Sequence, residues 1–216
     1  MNILFIAPPA AGKGTQSVRV SEKYNLPHIS TGDLLRNCHD EEINKLINNG
    51  KFVSDEVVSK LLEERLNEDD CNNGFVLDGF PRNLKQAKIY ENILKNLKKE
   101  QGTVFVLDTP KDIAEKRITG RVSCPNCGEV FNELIEGSKP LKKGLCNHCH
   151  HTLIKRNDDT KETFEKRYDT YEKETEPLIE YYEKKNVVYH VNSGVTAEHT
   201  FKQIEGVIDN ILTRRW

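Results

Sequence analysis

Four features are missing from this sequence of 216 residues. No apolar run approaches the roughly 18–20 residues that a membrane-spanning helix needs, which excludes a helical integral membrane protein. No charge of one sign dominates. Lys and Arg number 32 against 34 Asp and Glu, a formal net charge of −2, so no global basic field argues for nucleic acid. No internal repeat or low-complexity tract occurs, which argues against a solenoid or a linker-rich chain. No charged n-region with an apolar stretch opens the chain, so the expected location is the cytoplasm. Neither a membrane nor a nucleic acid is an expected partner. The length suits one domain with a real core and room for inserted lobes.

Among the features that are present, alternation comes first. Apolar, β-branched runs at Asn2–Ile6, Gly74–Leu77, Thr103–Leu107 and Val187–Val191 read as strands, with a shorter candidate at Pro27–Ile29. Between them Lys13–Tyr24, Asn83–Lys98 and Pro110–Thr119 carry helical spacing. Such alternation predicts an α/β fold, a parallel sheet covered on both faces, with ligands beyond the carboxyl ends of the strands. Two stretches interrupt it and read as inserts. One is Thr31 to about Leu66, helical and polar; the other is Val122 to about Asn157, rich in cysteine. Thr160–Lys184 reads as one long helix with Phe164, Tyr168, Tyr171, Leu178 and Tyr182 along a core-facing side.

The first strand runs into Ala7-Pro8-Pro9-Ala10-Ala11 and then Gly12-Lys13-Gly14-Thr15 at the start of a helix. Strand, small-residue loop, Gly-Lys and helix is the layout of a phosphate-binding loop. The first N–H groups of a helix lack intrahelical partners and lie at its positive end, and phosphate oxygens fill both needs. Lys13 adds a full charge, and Thr15 offers a hydroxyl near the Mg²⁺ that accompanies a nucleotide. Glycine is scarce here: Ala7 and Ala10 stand where such loops commonly carry it. An alanine forced to positive φ costs about 1–2 kcal/mol, and Pro8 removes one donor.

Asp78-Gly79-Phe80-Pro81-Arg82 closes a strand and leads into a helix. A carboxylate there can hold Mg²⁺ through water, and Arg82 offers a planar fork for phosphate. Arg117 and Arg121, four apart near the end of one predicted helix, are expected to share a face. Arg156 and Arg167 flank the far side of the cysteine segment. Pointed inward, these guanidinium groups suit phosphoryl transfer, in which charge develops on phosphoryl oxygens. Pointed outward, they pair with local acids such as Glu115, Asp158 and Asp159.

Four of the six cysteines form Cys124-x-x-Cys127 and Cys146-x-x-Cys149. This is the spacing of a Cys₄ zinc ribbon. Four thiolates close the coordination shell, so the zinc would be structural and its binding energy would fold a small polar lobe; iron or cobalt could occupy the same ligands. His148, His150 and His151 are alternative ligands. His150 stands where the first knuckle has Gly128. Cys38 and Cys71 have no spacing partner.

Together these residues resemble the adenylate kinase family of nucleoside monophosphate kinases, in its long form with a zinc-bearing lid. The likeness spans essentially the whole chain. It rests on five blocks in order: Gly12–Gln16; His28–Arg36; Asp78–Arg82 with Gln86; Gly120-Arg121; and Arg156–Asp159 with Arg167. It implies a phosphate-loop, three-layer α/β fold with a parallel five-stranded sheet. The core would be residues 1–29, 59–121 and 159–216, with a helical NMP-binding lobe at 30–58 and a zinc-ribbon lid at 122–158. It implies reversible transfer from Mg·ATP to AMP, giving two ADP, by a monomer whose lobes close over the substrates. Ala10, Ala11, Gly12, Lys13, Gly14 and Thr15 would wrap the ATP phosphates, with Arg117, Arg121, Val130, Phe131 and the backbone near Val195 also on the ATP side. Thr31, Arg36, Lys51, Phe52, Val53, Gly79, Phe80, Pro81, Arg82 and Gln86 would meet AMP, with Arg156 and Arg167. Lys13, Arg82, Arg121, Arg156 and Arg167 would carry the catalysis.

The chain departs from the family pattern at Ala7, Pro8 and Ala10, and at Ser54 and Asn83, where Pro and Thr are usual. The loop changes keep a second reading in play, a nucleotide-binding homologue with impaired catalysis. A kinase for another nucleoside monophosphate is a third, and a zinc-ribbon nucleic-acid binder a fourth, which the acids around the ribbon argue against.

Overall fold

The computed structural model describes residues 1–36, 53–156 and 159–214. Five strands, β1 (Asn2–Ile6), β2 (His28–Ser30), β3 (Phe75–Asp78), β4 (Thr103–Asp108) and β7 (Val188–Asn192), form one sheet in the order β2-β3-β1-β4-β7, every pair parallel. All five residues of β1 are buried. That burial is why a central strand reads as a continuous apolar run rather than an alternating one.

Successive side chains of a strand point to opposite faces, and the two faces carry separate cores. Leu4, Ile6, Leu77, Val104 and Val106 pack with α3 (Asp55–Leu66), α4 (Leu84–Asn96) and α7 (Pro177–Glu183) through Leu62, Leu66, Tyr90, Leu94, Leu178 and Tyr182. Ile3, Phe5, Val76, Phe105 and Leu107 pack with α1 (Lys13–Tyr24) and α8 (Ala197–Thr213) through Val20, Ile204 and Ile208. A third cluster joins Ala114 and Ile118 of α5 (Lys111–Thr119) to Phe164 of α6 (Lys161–Thr170), and Ala10 packs against it. A short helix α2 (Thr31–Arg36) follows β2 directly.

The predicted helix over Thr160–Lys184 is present, but its middle is not α-helical. Between α6 and α7, Tyr171–Thr175 forms a π-helical turn in which Glu176 N–H donates to Tyr171 C=O at 2.8 Å. Pro177 explains it. Its missing N–H removes the donor to residue 173, and its ring crowds that carbonyl, so the preceding turn widens to the i→i+5 pattern. The widening lets Phe164 stay in the α5 cluster while Leu178 and Tyr182 reach the α3–α4 face.

The cysteine-bearing insert is a hairpin of β5 (Arg121–Ser123) and β6 (Val130–Asn132), extended by bridges Ser123–Ile154 and Leu145–Thr152. Its core is small: Val122, Cys124, Phe131, Cys146 and Leu153. Among the described residues no helix is long and apolar enough to cross a membrane.

Candidate active site

The loop between β1 and α1 lies at the carboxyl end of the sheet. Gly12 caps α1 at φ 90° without a side-chain bond, which leaves the first N–H groups of α1 without intrahelical partners. Ala10 adopts φ 62°, the left-handed region, while Ala7 does not. Ala11 N–H turns back to Pro8 C=O at 3.3 Å, so this donor closes the loop itself. The loop is tied from behind. Ser193 Oγ donates to Ala11 C=O at 2.5 Å, and Gln16 Nε2 to Ala197 C=O at 2.9 Å. Gly14 and Thr15 are exposed.

Lys13 reaches across the loop to the end of β3, where its Nζ lies 2.6 Å from Asp78 Oδ1. Asp78 Oδ2 faces His28 Nε2 at 3.6 Å and sits 3.8 Å from where a Cβ of residue 14 would stand. Burial pushes the Asp78 carboxyl up, but His28 and Lys13 outweigh it and hold the group down at about 2. It is therefore an ionised, acceptor-only group beneath the first turn of α1, suited to a water-mediated Mg²⁺.

Gly79 follows at φ 89°, and a Cβ there would stand 2.9 Å from Thr31 Oγ1. Only glycine lets β3 pass so close to the start of α2. Thr31, Phe80 and Pro81 are buried and Val53 is half-buried. Arg82 Nε donates to Gly79 C=O at 2.9 Å, while Arg82 C=O accepts from Thr175 Oγ1 of the π turn at 2.8 Å. Asn83, the departure from Thr, caps α4 by accepting from Gln86 N–H at 2.9 Å. Gln86 Oε1 accepts from Arg82 N–H at 2.8 Å, and its Nε2 donates to Asp55 Oδ1 at 2.8 Å. Arg36 is the last residue of α2. Lys51 and Phe52 lie outside the described residues, as do Cys38 and Asp158.

The arginines divide. Arg117 is half-buried on α5 and donates to Val195 C=O at 2.6 Å, which joins two residues expected on the ATP side. Arg121 does not share its helical face. The helix ends at Thr119 and Arg121 opens β5, paired with Asn132. The Asn132 amide donates to Arg117 C=O at 2.8 Å, ending α5 from outside, and Gly120 leaves room for that approach, since Asn132 Oδ1 would stand 2.3 Å from a Cβ there. Arg121 makes a two-pronged pair with buried Asp159, Nε–Oδ2 2.8 Å and Nη2–Oδ1 2.5 Å. Arg156 and Arg167 are exposed. In the hairpin Val130 is exposed, and Phe131 packs inside the small core. Beside the loop opens a cleft of about 530 Å³ lined by Pro8, Asp108, Tyr168, Tyr171 and Glu176.

The four cysteines converge. Their Sγ atoms all lie within 4.8 Å of one another, with Cys124–Cys149 at 3.3 Å, Cys127–Cys146 at 3.5 Å and Cys127–Cys149 at 3.6 Å. A tetrahedral Zn²⁺ with bonds near 2.3 Å sets sulfur–sulfur separations of about 3.8 Å, so the four ligands fit that ion. The N–H of His151, with the Asn126 amide, pulls the Cys149 thiol down to about 5. His150 takes φ 58°, the same left-handed conformation that Gly128 takes at 76° in the first knuckle. The turn is kept although the glycine is not.

A family model described as Adenylate kinase matches residues 5–187. An adenylate kinase of Archaeoglobus fulgidus is 43% identical over 98% of this chain and 99% of its own length. One of Clostridium tetani is 40% identical over 98% and 100%, and one of Thermoanaerobacter pseudethanolicus 40% over 95% and 96%. The chain belongs to the adenylate kinase family.

It is an enzyme of that family, and its reaction class is phosphoryl transfer involving nucleoside monophosphates. At the end of β3, Lys13 meets Asp78, while Gly79 lies close to Thr31 and to the Arg82 side chain. Adenylate kinases use Mg²⁺ with ATP, and the acceptor-only Asp78 is the group here suited to it. Sequence reasoning did not single out Asp55, the partner of Gln86, because an acid at a helix start is ordinary. His28 and Thr175 likewise show their roles only through contacts distant in sequence.

Proposed function

We propose that the chain catalyses Mg·ATP + AMP ⇌ 2 ADP. The observation that supports this most directly is that two binding elements meet at one strand end: Asp78 pairs with Lys13 of the phosphate loop, and Gly79 leaves room for Thr31 on the other side, where a Cβ would stand 2.9 Å from its hydroxyl. A donor nucleotide on the loop and a monophosphate against Thr31, Gly79, Arg82 and Gln86 would face each other there. A phosphate oxygen of AMP attacks the γ-phosphorus of ATP, the bond from that phosphorus to the β–γ bridging oxygen breaks, and ADP leaves. Lys13, Arg82, Arg121, Arg156 and Arg167 neutralise the phosphoryl oxygens as charge shifts along this line.

Mg²⁺ bound with ATP supplies further charge neutralisation, and Asp78 would hold it through water. Zn²⁺ on the four cysteines would stiffen residues 122–158 as a lid, while residues 30–58 act as the NMP lobe. Closure of both over the core excludes water and gathers the arginines. Arg121 exchanges Asp159 for phosphate, and Lys13 exchanges Asp78, as nucleotide enters. The chain acts as a cytoplasmic monomer on ATP, AMP and ADP.

A second reading, nucleotide binding with impaired catalysis, is favoured by Ala10 in the left-handed region and by the Ala11 N–H spent on Pro8. The deciding experiment is ³¹P NMR of Mg·ATP mixed with AMP, CMP, UMP or GMP, with Lys13→Ala as control. Rapid ADP formation selective for AMP and lost in Lys13→Ala supports the proposal. A folded, zinc-loaded sample that binds ATP and turns over no acceptor supports the second reading.

A further inference from the structure

The Gln86 side chain is held at both ends by groups that cannot exchange roles. A primary amide has two lone pairs on oxygen and two N–H donors. Arg82 N–H, which only donates, takes one lone pair of Oε1 at 2.8 Å; Asp55 Oδ1 takes one hydrogen of Nε2 at 2.8 Å. Asp55 is itself fixed. Lys85 Nζ lies 2.8 Å from its other oxygen, Ser59 Oγ bonds its carbonyl, and it starts α3 under the Ser54 cap. Its carboxyl is held below the usual range by Gln86 first and Lys85 second, so it remains ionised and can only accept. Turning the amide over would set Oε1 against a carboxylate and NH₂ against an N–H. Both contacts would become repulsive.

The amide so held keeps one acceptor lone pair on Oε1 and one hydrogen on Nε2. The described residues take no further bond from it. A 6-aminopurine offers the matching pair, a donor at its exocyclic N6 and an acceptor at N1. A 6-oxopurine offers the reverse, an acceptor at O6 and a donor at N1. A freely rotating glutamine could serve either ring by turning over; this one cannot.

We propose that Asp55 is a specificity-determining residue that locks the Gln86 amide in one orientation and so makes the acceptor site choose 6-aminopurine over 6-oxopurine monophosphates. The inference rests on the reading above that Gln86 meets the purine of the acceptor nucleotide. Asp55 acts through Gln86 and touches no substrate, so it is a positioning residue. Sites that leave a buried polar group mispaired with the wrong substrate discriminate far more strongly than apolar pockets do, and the lock is what makes the mispairing unavoidable.

The test compares kcat/KM for AMP and IMP in the zinc-loaded full chain and in Asp55→Asn, Asp55→Ala, Lys85→Ala and Gln86→Ala, each checked by circular dichroism. Asn at residue 55 both donates and accepts, so it removes the Asp55 half of the lock and leaves only the Arg82 N–H opposing an inverted amide. Asp55→Asn and Asp55→Ala are expected to lower the AMP/IMP ratio by about tenfold or more, chiefly through a lower KM for IMP. Lys85→Ala removes the neighbouring ion pair but leaves the lock, so its ratio should match the unaltered protein. An unchanged ratio in folded Asp55→Asn and Asp55→Ala overturns the lock, provided Gln86→Ala does lower it. A ratio unchanged even in Gln86→Ala overturns the underlying placement of Gln86 and the lock with it. An equal fall in Lys85→Ala assigns the effect to the local ion pair and overturns it as well.

Discussion

Lys13 and Asp78 form a 2.6 Å ion pair between the phosphate loop and the end of β3. The Asp78 side chain is 15% exposed and that of Lys13 29%, so the pair is screened from water more than a surface bridge. Before nucleotide arrives, it holds the cation over the cradle in which phosphate is expected to lie. Removing the charge of Asp78 therefore has two consequences. Asp78→Asn keeps the shape but loses charge-assisted contacts, a destabilisation of about 1–3 kcal/mol, read as a lower melting temperature without ligand. Turnover should fall by about tenfold or more if the carboxylate also serves Mg²⁺, with a raised Mg²⁺ requirement. An enzyme with unchanged Mg²⁺ dependence would remove Asp78 from that role. The sign with pH follows from the depressed carboxyl. Its folded value of about 2 lies below the ordinary 3.8, so its contribution is present above about pH 4 and is lost as pH falls toward 2.

Ala10 tests how much a glycine is worth in this loop. At φ 62° the alanine carries strain of about 1–2 kcal/mol. Its side chain packs against the cluster of Ala114, Ile118 and Phe164, and burying one such carbon contributes about 0.8 kcal/mol. Replacing it by glycine also raises the entropy of the unfolded chain, at about 0.4–1 kcal/mol. These terms nearly cancel. Ala10→Gly is expected to change stability by less than about 1 kcal/mol in denaturant titration, and a larger loss would mean that the methyl contact outweighs the strain.

Lys13, Asp78 and Ala10 show what sequence could reveal. The strands β1, β3 and β4 were legible because buried β-branched runs alternate with helices, and Lys13 and Asp78 because a strand end is where ligands gather. The strain at Ala10 was legible as a possibility, since only glycine is at ease in that conformation. Its compensation was not, because every member of the cluster it packs against lies more than 100 positions away in the sequence. Helical phase across Thr160–Lys184 pointed to a single helix, and Pro177 opened it into a π turn. Arg117 and Arg121 have helical spacing, yet Asn132 arrives from the hairpin and ends the helix between them. Arg82 and Gln86 were legible as one motif block, but the bond of Asp55 to Gln86 has no periodic or motif signal and exists only once α3 packs beside α4.

Metal removal should act on one lobe. Among its described residues the hairpin insert buries, of apolar side chains, only Val122, Phe131 and Leu153 besides two of its own cysteines, too little apolar surface for a free-standing fold. One Zn²⁺ per chain is expected by elemental analysis. Chelation or Cys127→Ser should unfold the insert while leaving the five-stranded core folded, seen as a separate low-temperature calorimetric transition. Turnover should fall with it, because Arg121 opens the hairpin and Arg156 lies near the end of the insert. A single transition unaffected by chelation would show that the thiols need no metal to hold the lobe.

His190 supplies a pH signature on the far edge of the sheet. It lies on β7 with Nδ1 3.0 Å from Asp108 Oδ2 and Nε2 3.4 Å from Glu183 Oε1. Partial burial disfavours its charge, but Asp108 first and Glu183 second outweigh that and raise its pKa above 6.5. A group whose folded value is raised contributes stability that is full below the unfolded value and is lost as pH rises through the folded one. The bridge from β7 and α7 to β4 should therefore be strongest below about pH 6.5 and fade on the alkaline side. The ring is 48% exposed, so solvent screening keeps the effect modest. Denaturant midpoints from pH 5.5 to 8.5 should show a decline in the parent protein that is shallower in His190→Gln, which keeps a polar side chain but does not titrate. Equal slopes in the two proteins would show that neither carboxylate stabilises the charged ring in solution.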